Sequence, residues 1–162
     1  MTSHRCRCAV MMLGAFALLG ACNKAKLIPN TQVADTPVNR DILRTVEKYR
    51  RAVERRNAAE ILALVHPSYQ DAAGTPDASD DIDYEGLKQI LTHQLKHTSK
   101  IRLRIEYQHV AIKGREAEVD TYVDGTFVYD IPNANPRWRR LTDYNRFRLL
   151  RDGKRWQFIS GL

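Results

Sequence analysis

From Ile101 onward the chain alternates between apolar and polar residues, and that period of two constrains the fold more than any other feature. Ile101, Leu103, Ile105 and Tyr107 take turns with Arg102, Arg104, Glu106 and Gln108. Past a Lys113-Gly114 turn, Ala117, Val119, Thr121, Val123 and Phe127 alternate with Glu118, Asp120, Tyr122 and Asp124. Successive strand side chains point to opposite faces, so each run has one face to bury and one to leave wet. A loop from Pro132 to Pro136 precedes a third strand near Trp138–Leu150, and Asp152-Gly153 signals a hairpin into a last strand with Trp156, Phe158 and Ile159. In such a meander the second long strand lies between the first and third. Its outward Glu118, Asp120 and Asp124 then neighbour Arg102 and Arg104 on one side and Arg146 and Arg148 on the other. Pairs of this kind contribute roughly 0.2–1 kcal/mol each, enough to set register and solubility.

The apolar face needs a cover, and the preceding segment supplies helices. Ile42, Val46, Tyr49 and Val53 share one face of a helix from about Asn39, with Arg44, Lys48, Arg51 and Arg55 on the wet side. Asn57 and Glu60 form a capping box for a short second helix carrying Ile61, Leu62, Leu64 and Val65, which His66-Pro67 ends. Ser68 to Ala73 reads as a short strand and Gly74 to Asp83 as a polar loop. A third helix then presents Leu87, Ile90, Leu91 and Leu95. Helices followed by a meander make an α+β domain with the helices on one sheet face.

The N-terminus reads as an address. Arg5 and Arg7 precede an apolar run from Ala9 to Gly20, too short to span a bilayer, where about 20 apolar residues are needed. Leu19-Gly20-Ala21-Cys22 resembles the lipobox of bacterial lipoproteins. The resemblance implies cleavage after residue 21, a diacylglyceryl group on the Cys22 sulfur and an acylated new N-terminus. Asn23 after the cysteine implies passage to the outer membrane, facing the periplasm. Cys6 and Cys8 leave with the signal, so the mature chain keeps no other thiol for a disulfide or a thiolate metal site. Residues 22–36 read as a lipidated tether, with docking of Leu27 and Ile28 as the other option, and 37–162 as one domain. The net charge of +7 fits sheet pairing, and export speaks against a nucleic-acid partner.

Chemistry-bearing motifs are sparse. Asp77, Asp80, Asp81 and Asp83 lack the alternate spacing, central glycine and closing glutamate of a calcium loop. His93 and His97 sit one helical turn apart without an evident third ligand, so no metal is expected. No nucleophile elbow, phosphate loop or dinucleotide-binding glycine pattern occurs, and no cofactor is expected. Arg137, Arg139, Arg140, Arg151, Lys154 and Arg155 could form a basic patch. Asp143 and Asn145 share parity with Leu141, Phe147 and Leu149, which points an acid and an amide toward the apolar side. They line a pocket, join an internal network, or turn outward at a bulge.

The order of elements, with Lys48–Tyr69 (KYRRAVERRNAAEILALVHPSY), Tyr84–Leu91 (YEGLKQIL) and Arg146–Ile159 (RFRLLRDGKRWQFI), resembles the nuclear transport factor 2-like superfamily, including SnoaL-like cyclases and ketosteroid isomerases. The resemblance implies helices packed on a curved antiparallel sheet, a cone with a pocket at its open end, and dimerisation through the outer sheet face. It also places Tyr49 at the position of the isomerase helix tyrosine and Asp71 near that of the general base. The leading expectation is a lipid-anchored envelope protein whose non-catalytic cone binds a small apolar ligand or a partner, lined by Asp143, Asn145, Tyr49 and Tyr69. One alternative is an isomerase-like enzyme with Asp71 or Asp143 as base and Tyr49 as oxyanion donor. Another is an assembly lipoprotein acting through the outer face around Tyr122 and Tyr144, as a homodimer or with another protein. Cys22→Ser should move the protein from the detergent phase to the aqueous phase in a partition assay; unchanged partitioning would remove the lipid anchor from the account.

Overall fold

The computed structural model describes residues 26–72 and 78–162, so the lipobox and Cys22 lie outside the described residues, as does Asp77. The elements run α1 (Pro37–Glu54), α2 (Ala58–Leu62), β1 (Gln70–Asp71), a single 3-10 turn (Ala78–Asp80), β2 (Ile82–Asp83), α3 (Tyr84–Lys96), β3 (Thr98–Lys113), β4 (Glu116–Tyr129), β5 (Arg137–Asp152) and β6 (Arg155–Ser160). β3 to β6 form one antiparallel sheet in sequence order, and β1 pairs with β2 apart from it. None of the described helices is long and apolar enough to cross a membrane.

Local chemistry explains the boundaries. α1 begins two residues before Asn39 because Thr36 caps it, accepting from the Asn39 N–H at 3.1 Å, and Pro37 occupies the first turn. Asn57 accepts from the Glu60 N–H at 3.1 Å to start α2, and Asp83 accepts from Gly86 N–H at 2.8 Å to start α3. α2 stops at Leu62, earlier than its apolar run, because the next residues serve the sheet. Leu64 C=O accepts from Phe158 N–H and His66 N–H donates to Phe158 C=O, both at 2.9 Å, so Val65 lies as a parallel bridge along β6.

The opposite edge is closed by side chains. Glu54 accepts from Leu103 N–H at 2.9 Å and Arg50 donates to Leu103 C=O at 3.3 Å, while Arg56 donates to Thr98 C=O at 2.8 Å. Gln32 N–H donates to Tyr107 C=O at 3.1 Å. An open strand edge invites pairing with another chain, and these contacts occupy several of the β3 groups that would do so.

That last contact revises the reading of residues 22–36 as a tether. From Lys26 the chain folds into a small hairpin, with Leu27 opposite Ala34, a turn through Asn30 at φ 61°, and Ile28 N–H donating to Val33 C=O at 2.9 Å. Val33 is 2% exposed and joins the core with Ile42 and Val46. Burial of that one side chain, worth about 1.5–3 kcal/mol, joins the hairpin's backbone hydrogen bonds in offsetting the freedom a tether would keep.

The core is α1 laid on the inner sheet face. Ile42, Leu43 and Val46 meet Ala117, Val119, Phe147, Leu149, Trp156 and Phe158. A second cluster joins Ala52, Val53 and Ile61 to Ile101 and Leu103, and a third holds Val65, Tyr69 and Leu87. Leu162 packs against all three. A register shift between Tyr107 and His109 turns Val110 and Ile112 opposite Val119 and Ala117. On the outer face the expected charge rows form: Arg146–Asp120 at 2.6 Å, Arg148–Glu116 at 3.0 Å and Arg104–Asp124 at 3.7 Å. Arg102 lies opposite Thr126 instead of an acid, and Arg140 takes Asp124 at 2.9 Å.

The Tyr107 hydroxyl is buried without a hydrogen-bond partner among the described residues. An orphaned buried hydroxyl costs about 1–3 kcal/mol. Tyr107→Phe is therefore expected to hold or raise the melting temperature; a clear fall would reveal a partner for that hydroxyl.

Candidate functional site

The polar residues of the inner face converge on the segment that follows β6. After Pro67 the chain enters beneath the sheet, where Tyr69 is 2% exposed beside Val65 and Leu87. Its hydroxyl has two acceptors, Asp71 Oδ2 at 3.1 Å and Leu162 C=O at 3.3 Å, and itself accepts from Leu162 N–H at 3.1 Å. Asp71 Oδ2 also accepts from Gly161 N–H at 2.6 Å. From the sheet side, Asn145 Nδ2 donates to Gly161 C=O at 2.9 Å, and buried Thr121 donates to Asn145 C=O at 3.0 Å. Backbone groups of Gly161 and Leu162 thus occupy the polar centre of the inner face.

Tyr49 closes the same region from α1. Its ring packs edge-on to Phe147, with centroids 5.7 Å apart, and lies 5.4 Å from Phe158. Burial pushes its hydroxyl pKa up to about 12. Burial raises Tyr69 as well, opposed by its bond to Leu162 and assisted by the nearby Asp71 carboxylate and Tyr49. Both phenols are held neutral, as donors would be in an oxyanion site. The Asp71 oxygen that faces Tyr69 is already bonded to the Gly161 amide, so the carboxylate works here as an anchor for the chain.

Four of the expected residues, Tyr49, Tyr69, Asp71 and Asn145, therefore come together. Asp143 does not. It pairs with Val123 and has the inward parity the alternation predicts, but it is exposed and accepts from its neighbour's amide, Tyr144 N–H, at 2.8 Å. The reason is length. β6 pairs with β5 only from Arg148 to Asp152, so the earlier part of β5 projects past its neighbour. Leu141 on the same stretch is 44% exposed. The His93 and His97 rings pack 4.9 Å apart, and among the described residues no third ligand joins them. Asp81 accepts from Gln70 at 3.2 Å, and Asp83 is the cap of α3.

Sequence reasoning missed the closing pair itself. Gly161 adopts φ 94°, and a Cβ there would stand 2.2 Å from Arg146 C=O, so only glycine lets the chain pass the sheet this closely. A glycine directly after a strand and before an apolar residue is the signal that was available. Two clefts open elsewhere. One of about 190 Å³ lies between α1, the turn after α2 and the β5–β6 hairpin; a shallower groove runs along the outer face near Arg102, Arg104 and Arg140. Neither is lined by Tyr49, Tyr69, Asp71 or Asn145.

Solved structures share this architecture. A candidate aromatic ring hydroxylase from Novosphingobium aromaticivorans matches with a TM-score of 0.66 at 16% identity, covering 78% of this chain and 89% of its own. A candidate dehydratase of the nuclear transport factor 2-like family from Streptomyces avermitilis matches at 0.64 and 12% identity, covering 78% and 95%. A nuclear transport factor 2-like superfamily protein from Salmonella enterica serovar Typhimurium matches at 0.63 and 13%, covering 76% and 87%. At such identities the likeness establishes the fold: an α+β domain with a curved antiparallel sheet of the nuclear transport factor 2-like type. No protein-family model and no curated protein matches the chain.

Gly161→Ala should be strongly destabilising, by about 1–3 kcal/mol for the backbone conformation alone, whereas Asp143→Asn should stay within about 0.5 kcal/mol of the parent in chemical denaturation. Alkaline pH supplies a second check. Because Tyr49 binds its proton more tightly in the fold, its contribution is intact below the ordinary value of 10.0 and is lost as pH rises through about 12. Melting temperatures should fall between those values, and Tyr49→Phe should flatten that fall.

Proposed function

We propose that the chain is a lipid-anchored protein of the bacterial cell envelope, held through Cys22 at the outer membrane, whose domain works by association across its outer sheet face. The observation that carries this reading is the exposure of Trp138 (72%) and Tyr144 (78%) on outward positions of β5. Aromatic side chains this large are costly to leave in water and are enriched where proteins meet. Tyr144 already packs edge-on to Tyr122 across the strand pair at 5.2 Å. Between the aromatics, Arg140 and Asp124 neutralise one another, which lowers the cost of covering that part of the face. The occupant we assign is a second copy of this chain, which a shared membrane would hold at high local concentration.

The cone supports a second reading. A neutral phenol 3.1 Å from a carboxylate, with another phenol beside it, is a proton-transfer arrangement, and the neighbours include proteins named as a hydroxylase and as dehydratases. Chemistry there, or capture of a small apolar ligand, requires Gly161 and Leu162 to withdraw from the floor. The association reading needs no such movement and is preferred for that reason.

Sedimentation of the full-length protein in neutral detergent tests the choice. A dimer at micromolar concentration is expected, reduced to a monomer in Trp138→Ala/Tyr144→Ala with an unchanged melting temperature. A monomeric parent protein sinks the association reading. A small molecule released on denaturation, found in stoichiometric amount, would return the function to the cone.

A further inference from the structure

Positive charge is distributed unevenly over the molecule. Most arginines face an acid: Arg50 lies 2.7 Å from Glu47 and 2.6 Å from Glu54, and Arg51 lies 3.0 Å from Glu47. Arg140, Arg146 and Arg148 each face an acid of β4. The cleft of about 190 Å³ departs from that pattern. Arg44 and Lys48 enter it from successive turns of α1, and Lys154 and Arg155 from the β5–β6 hairpin. Its single carboxylate, Asp41, is taken by Arg44 at 2.6 Å. Among the described residues no acid forms an ion pair with Lys48, Lys154 or Arg155. Trp156, 6% exposed, contributes to the wall and ties it to the core.

Like charges gathered from separate elements repel one another unless an anion joins them. The gathering is a property of the fold, since Lys48 and Lys154 stand more than a hundred residues apart. We propose that this cleft binds a phosphate group, carried either on a small soluble phosphate or on the headgroup of an anionic lipid. Tetrahedral phosphate presents oxygens in several directions and suits donors arriving from two sides, with arginine forks supplying paired bonds and lysines supplying point charge. The volume holds a phosphate with its immediate substituent. The site is separate from the outer sheet face, so it stands or falls independently of the association reading.

The test uses full-length protein in neutral detergent carrying Trp138→Phe, which leaves Trp156 as the remaining tryptophan. Inorganic phosphate and, separately, glycerophosphoglycerol are titrated, reading Trp156 emission and phosphorus NMR linewidth in parallel so that a silent tryptophan does not hide binding. Saturable binding of at least one probe is expected. It should weaken about tenfold or more in Lys48→Gln/Lys154→Gln, the loss expected for two charge-assisted contacts, and hold in Lys113→Gln, an exposed lysine outside the cleft. Preference for inorganic phosphate assigns the soluble source, and preference for glycerophosphoglycerol assigns the lipid headgroup. Absence of saturable binding by either probe, or equal weakening in both variants, overturns the proposal.

Discussion

A sheet of four antiparallel strands, three of them long, has one apolar face to cover and two edge rows of backbone groups to occupy, and the rest of this domain follows from meeting these three demands. α1 meets two of them together. Its apolar stripe fills the inner face, while Arg50 and Glu54 on its flank reach around to Leu103 at the β3 edge. The segment after α2 meets the third by lying against Phe158 on β6. The short second helix is thus explained by the sheet: those residues have a better use as edge than as helix.

The same closure determines what the interior can do. An acid, an amide and two phenols gather beneath the inner face of the sheet. Yet Tyr69, Asp71 and Asn145 each bond to the backbone of Gly161 or Leu162, and Leu162 touches all three apolar clusters at once. Withdrawing a carboxylate even partly from water costs free energy unless its charge is answered, and the half-buried Asp71 is answered in part by the Gly161 amide and the Tyr69 hydroxyl. Exposed aromatics and unanswered cations are left to the outside.

Much of this was legible from residue patterns. The alternation located the long strands, the Asp152-Gly153 turn set the last hairpin, and the meander order put the second long strand in the middle, with arginines on either side of its acids. Capping chemistry at Asn57 placed the start of α2 within a residue. What stayed hidden depends on lengths and on partners distant in sequence. Parity gave Asp143 the correct face, but whether a face is roofed depends on how far the neighbouring strand extends. Val33 looked like tether because one valine among polar residues shows no periodicity; its burial depends on a gap between α1 and β3 that no local window contains. The basic cleft was half visible. Lys154 and Arg155 stood out as basic, while Arg44 and Lys48 passed as the wet side of a helix, and only the fold sets the two pairs face to face.

The packing of Val33 and Ile42 with Phe158 and Leu162 carries a consequence for the order of assembly. Residues from the beginning and the end of the domain share the main cluster, so that cluster is complete only when both are present. The β3–β4 hairpin has local partners and can form at once, and α1 can settle first on β3 through Ala52, Val53, Ile101 and Leu103, but its Ile42 and Val46 lack Phe147, Leu149, Trp156 and Phe158 until β5 and β6 exist. Contacts this distant in sequence slow folding and make it cooperative. A chain lacking its last two strands would therefore leave part of the apolar stripe of α1 uncovered, so a truncation there costs more than the contacts of the residues removed.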